Sequence, residues 1–128
     1  MARHKRRVRG VIVKTLTHEC HDRGMTLMNV ASRCVRQGEL HELVTTDQLT
    51  AACGDRIDRV GFLGFVEIVD AGVIEIGDEV VVNHNHLGNV VGFDECHFPN
   101  HYNVLIGSNR LWTGDALKLE VEKLVVFS

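Results

Sequence analysis

Apolar residues along this chain come in short runs broken by glycine and by clusters of polar residues, and a sustained helical period is rare. Residues 8–16, VRGVIVKTL, are rich in β-branched side chains and partly alternate, which predicts a first strand. A polar loop from His18 to Gly24 follows, then residues 25–35, whose apolar positions fit neither period; the first half reads as strand. Gln37-Gly38-Glu39 makes a turn into a short strand over 40–44. Thr45 and Gln48 have capping-box spacing, Leu49, Ala52 and Cys53 share one helical face, and Gly54 sits at the C-terminal cap position. One short helix is therefore predicted over 45–53. Residues 55–69 return to β character, with Gly61 and Gly64 marking a bulge or a sharp coil. Gly-Asp turns precede three strand-like runs, at Gly54, Gly77 and Gly114. In the last of these Leu117, Leu119 and Val121 alternate with Lys118, Glu120 and Glu122, as a half-exposed closing strand would. The sum is an all-β chain, a small closed or nearly closed β-barrel with one short helix.

Length and charge change the picture in two places. A chain of 128 residues builds one domain, read as residues 10–128 behind a basic arm, residues 1–9. The arm carries Arg3, Lys5, Arg6, Arg7 and Arg9. The chain has 14 Lys and Arg against 17 Asp and Glu, so everything after the arm is strongly acidic. An acidic body repels a phosphate backbone, and no nucleic-acid motif accompanies the arm, which argues against nucleic acid as a partner. No apolar run reaches the roughly 18 residues of a membrane span. No apolar segment follows the basic terminus as in a secretory signal. Four cysteines without a CxxC pair suit reduced thiols, and the expectation is a cytoplasmic protein.

Candidate chemistry concentrates in residues 73–106, which hold four of the eight histidines, one of the four cysteines, the only proline and the only tyrosine. His84 and His86 are two apart, so an extended backbone points both imidazoles the same way and a metal becomes thinkable. The competing reading, an exposed hairpin tip at His84-Asn85-His86-Leu87-Gly88, is favoured because no carboxylate follows at metal-binding spacing. Residues 94–103, DECHFPNHYN, gather acid, thiol, imidazole, amide and phenol groups. His97 and His101 are candidate acid/base groups, Asp94 or Glu95 could orient an imidazole, and Tyr102 could donate to a developing oxyanion. Cys96 is a conceivable nucleophile, though a cysteine entering a strand more often packs. Asn83, Asn100 and Asn103 complete a pocket over residues 83–103 for a small polar molecule. A divalent metal is the cofactor these residue types admit, held by His84, His86 and one of His97 or His101. The apolar runs VVV and LVVF offer a face for a twin subunit, so a homo-oligomer is the one protein partner considered.

The second half resembles the glucitol/sorbitol-specific enzyme IIA component of the bacterial sugar phosphotransferase system. The resemblance rests on Gly77-Asp78, on Val91-Gly92, on Phe98-Pro99-Asn100 leading into a strand, and on Gly114-Asp115, with Gly24-Met25 as an earlier match. It implies a closed barrel and a bacterial cytoplasmic protein. The family's phosphorylated histidine falls before the first Gly-Asp turn, and residues 62–72 here contain no histidine. The resemblance therefore implies a partner or regulator of sugar transport rather than a phosphoryl carrier, since fold does not carry function across such a gap.

Overall fold

The computed structural model describes residues 4–128; Arg3 of the basic arm lies outside them. Among the described residues there are twelve strands and no helix. In chain order these begin with β1 (Val8–Thr15), β2 (Glu19–Cys20), β3 (Met25–Thr26), β4 (Ser32–Val35), β5 (Leu40–Thr46) and β6 (Arg56–Ile57). The rest are β7 (Val60–Asp70), β8 (Gly72–Glu75), β9 (Glu79–Val82), β10 (Asn85–Asp94), β11 (Asn103–Gly107) and β12 (Leu124–Phe127). Strands β1, β12, β9, β10, β11, β5 and β7 hydrogen-bond in that order, and β7 pairs back onto β1. The seven close into a ring, which leaves no open edge to template aggregation. Within the ring β5 and β11 run parallel and the other pairings are antiparallel. The short pairs β3–β6 and β4–β8 lie outside it.

Closure needs corners, and the glycines of β7 supply one. Leu43 faces Gly64 and the next residue, Val44, faces Phe62, so Leu63 is the extra residue of a bulge. A β carbon at Gly64 would strike the carbonyl oxygen of Lys14 on β1, so only glycine lets the strands approach here.

Alternation then sorts side chains to two sides of the wall. Ile12, Leu43, Val66, Val82, Phe93, Val104 and Phe127, one from each ring strand, belong to a single buried cluster that fills the ring. Their neighbours Val44, Val60 and Leu105 point outward and join Met25, Leu27 and Ile57 in a second cluster. That outer layer is built by the segment carrying β3 and β6. Each large side chain buried in this way contributes roughly 1.5–3 kcal/mol.

Three expectations meet a different outcome. No helix forms over 45–53, because Thr45 and Thr46 are already in the ladder opposite Ile106 and Gly107 of β11. Thr45 Oγ1 donates to the Trp112 carbonyl (2.6 Å) and Thr46 Oγ1 to that of Arg59 (2.7 Å). What remains, 47–53, is too short to nucleate a helix and turns instead. The closing strand β12 begins only at Leu124; the alternating residues 117–121 form turns across the end of the ring, with Lys118 in the left-handed region (φ 53°). The boundary between arm and body also shifts in kind. Val8 and Arg9 open β1, and Lys5 reaches Asp78 (2.6 Å) and Glu75 (3.2 Å). Burial alone would lower the Lys5 ammonium pKa, but its bonds to those two carboxylates outweigh this and raise it.

Candidate functional site

The register across four ring strands lines up one row of outward-facing residues. Phe65 on β7 lies opposite Glu42 on β5, Glu42 opposite Asn103 on β11, and Asn103 opposite Asp94 on β10. Glu42, Asp94 and Asn103 are all buried. Asp94 accepts from the Asn103 side-chain amide (3.1 Å) and from the backbone N–H of Cys96 (3.1 Å), which fixes the start of the turn after β10. That turn carries His97 outward, and His101 follows two residues before β11 on the same face as Asn103.

His101 is buried and its Nε2 lies 3.1 Å from Glu42 Oε1. Its Nδ1 meets the side-chain amide of Asn100 at 2.9 Å. Phe65 stands edge-on to the same imidazole at 5.0 Å, and His97 stacks on it with centroids 5.0 Å apart. Donor atoms of Glu42, His97 and His101 all lie within 4.8 Å of one another, and among the described residues no other such cluster of His, Cys, Asp or Glu is found. A tetrahedral ion about 2.1 Å from each donor sets them roughly 3.4 Å apart. His101 and Glu42 already stand close to that spacing, at 3.1 Å, and the exposed His97 lies within 4.8 Å of both. Glu42 makes one side-chain hydrogen bond among the described residues, to His101.

Arg23 approaches from the covering layer. Its backbone N–H donates to the carbonyl of Asp58, and its guanidinium lies 3.4 Å from His97 Nε2 and 3.3 Å from Cys96 Sγ. No carboxylate among the described residues forms a salt bridge with it. The Cys96 thiol is pushed up by burial and by the neighbouring Asp94, with Arg23 only partly offsetting both, so it stays protonated at neutral pH. That is the opposite of an activated nucleophile.

The expected site residues divide into three groups. His97, His101 and Asn100 come together, with Asn103 and Asp94 in the row behind them. Neither Asp94 nor the exposed Glu95 orients an imidazole; Glu42 does, and sequence reading passed over it. Its signal was a carboxylate inside the apolar run LHELV, at a position that pairing buries. Tyr102 leaves the group: alternation turns it toward the interior side, where Arg33 lies over its ring (3.7 Å) and His41 and Phe98 flank it. Asn83, His84 and His86 are elsewhere altogether. Asn83 and His84 form a two-residue hairpin turn with both φ positive (49° and 69°), as a type I′ turn requires. His86 and Asp94 stand near opposite ends of β10, about 25 Å apart at the usual rise per strand residue. The common mouth expected for the two histidine segments is therefore absent, and His84 and His86 do not join His97 or His101 around a metal.

Across residues 2–128 the chain matches DUF6917, a family of unknown function. No curated protein and no solved structure matches it. With its match running over nearly the whole length, the chain belongs to the DUF6917 family.

Proposed function

We propose that this protein holds a divalent transition-metal ion between Glu42, His97 and His101 and uses it to bind and activate a small anionic molecule. The observation that carries the reading is the convergence of two imidazoles and one buried carboxylate within 4.8 Å. Two histidines and a carboxylate fill one face of an ion and leave positions open for substrate or water. A cation also compensates the buried Glu42 carboxylate more fully than a single imidazole does. Phe65 and the Asp94–Asn103 pair act as supports, packing and bonding the elements that present the ligands. Arg23 supplies the substrate class: beside the open positions its guanidinium meets an imidazole and a thiol, neither of them an anion, so its charge is available to a carboxylate or similar group. The triad, not the resemblance to enzyme IIA, carries this reading. Four free cysteines fit a reducing compartment, and the cytoplasm is the location proposed on that chemistry.

The test is a cobalt(II) titration of the metal-stripped protein, followed by visible absorption and calorimetry. Saturation at one ion per chain, weakened at least tenfold in both His97→Ala and His101→Ala variants that remain folded, is the expected result. Absence of saturable binding, or affinity unchanged from the parent in either folded variant, overturns the proposal.

A further inference from the structure

At the end of the ring away from the triad lies a cavity of about 710 Å³. Pockets that hold drug-sized molecules span roughly 300–1,000 Å³. Val82 and Leu87 line it from β9 and β10, and Trp112, Leu117 and Leu119 come from the turns that cross the end of the ring. Its polar groups are neutral: the amides of Asn83, Asn85, Asn89 and Asn109, the His86 imidazole, and the Ser108 hydroxyl, which donates to the Leu87 carbonyl (2.7 Å). No Asp, Glu, Lys or Arg lines it, although such residues make up 24% of the chain. No lining residue offers a counter-charge to a charged guest; the guanidinium of Arg110 stands over the Trp112 ring (4.3 Å to its centroid) but is not part of the wall.

Three of these amides have one end committed and one end to offer. Asn85 and Asn89 each use the side-chain nitrogen to donate to a backbone carbonyl, of Asn83 and Gly77 (both 3.1 Å), which leaves their carbonyl oxygens as acceptors. Asn109 is turned the other way, its oxygen accepting from Trp112 Nε1 (3.3 Å), so its nitrogen is left to donate.

We propose that this cavity binds a small uncharged molecule with an apolar body and a hydroxyl or amide head. Trp112 is the only tryptophan of the chain, so its emission reports on this cavity and nowhere else. The experiment titrates the protein with N-phenyl-1-naphthylamine, a neutral apolar fluorophore, and reads energy transfer from Trp112. Saturation at one probe per chain is expected, with 1-naphthol displacing it at least tenfold better than its charged analogue 1-naphthoate. Leu117→Glu, which places a carboxylate in the wall, is expected to weaken the probe at least tenfold. Should that variant fail to fold, Asn109→Asp places a charge at the rim and is expected to shift binding in the same direction. No saturable transfer, equal competition by naphthoate, or unchanged binding in a folded variant overturns the proposal. So does a dimer that falls apart in Leu117→Glu, because the cavity would then belong to a second copy of the chain. His101→Ala leaves probe binding unchanged, which keeps this result separate from that of the metal titration.

Discussion

Glu42 and His101 stand 59 residues apart in the chain, yet the carboxylate oxygen of one lies 3.1 Å from the imidazole nitrogen of the other. The parallel pairing of β5 with β11 brings them together. Asn103 falls opposite Glu42, and His101, two residues earlier, shares its outward face. Parallel neighbours cannot be joined by a hairpin, so the chain travels through β6 to β10 before it returns. The pair exists only once the ring has closed.

Substitutions at Glu42 separate its structural role from its ligand role. In Glu42→Gln the amide oxygen still accepts from His101, and stability by urea unfolding is expected to stay within about 1 kcal/mol of the parent. The neutral amide is a poor metal ligand, so cobalt(II) affinity is expected to fall at least tenfold, about 1.4 kcal/mol. Glu42→Ala leaves a buried imidazole N–H unpaired and is expected to lose about 1–3 kcal/mol. Unchanged cobalt affinity in Glu42→Gln would remove the carboxylate from the site.

Two glycines separate crowding from backbone conformation. A β carbon at Gly88 would collide with the carbonyl oxygen of Gly107 across the β10–β11 ladder. Gly88→Ala therefore forces two ring strands apart and is expected to destabilise by about 1–3 kcal/mol. Gly77 has open space where a β carbon would go, but its φ is +95°. Gly77→Ala is expected to lose about 1–2 kcal/mol from the backbone alone. Chemical denaturation of both variants checks this, and a Gly88→Ala protein as stable as its parent would mean the ring opens freely at that seam.

Local chemistry was legible in the sequence and long-range pairing was not. The β-branched run 8–16 gave its strand and Gly64 its bulge, because each depends on residues within a few positions; the hairpin tip expected at 84–88 forms at Asn83-His84, with Asn85 already in β10. His97 and His101 were recognisable together for the same reason: one turn holds both. Glu42 escaped notice because its partner arrives by a parallel pairing that no local pattern announces. The capping box at Thr45 failed in the opposite sense, a sound local signal overridden when β11 claimed Thr45 and Thr46 for the ladder. His86 and His97 are close in sequence, but an extended strand converts nearly every intervening residue into distance. Residues 117–121 alternate like a strand, yet no ring strand pairs with them, and alternation without a partner produced turns.

Glu39 makes an acid-limb prediction. Burial pushes its carboxyl up, but the backbone N–H of Arg36 and the side chain of His41 outweigh this and hold it below its ordinary value of 4.5. A carboxyl lowered in the folded state adds stability that is complete above the unfolded value and disappears as pH falls through the folded one. The urea midpoint is therefore expected to drop below about pH 4.5 and to drop less steeply in Glu39→Gln. The slope does not vanish in that variant, because Arg59 lowers Asp47 in the same way and the two add. An acid limb identical in Glu39→Gln would show that the carboxyl is as free in the folded chain as in the unfolded one.

Cys96 gives a prediction whose sign tests the electrostatics around the triad. Burial and the Asp94 carboxylate raise its thiol above the ordinary 9.0, while Arg23 opposes them. Thiolate is the reactive species, so alkylation by iodoacetamide at neutral pH is expected to be slower at Cys96 than at a free cysteine, climbing as pH passes 9. Removing the opposing charge in Arg23→Met is expected to slow Cys96 further, whereas Asp94→Asn is expected to speed it. Mass spectrometry of the peptide containing Cys96 follows each rate separately from those of Cys20, Cys34 and Cys53. If Arg23→Met instead accelerates the reaction, Arg23 acts by shielding the sulfur rather than through its charge, and its assignment as the group that receives an anion beside the metal falls with it.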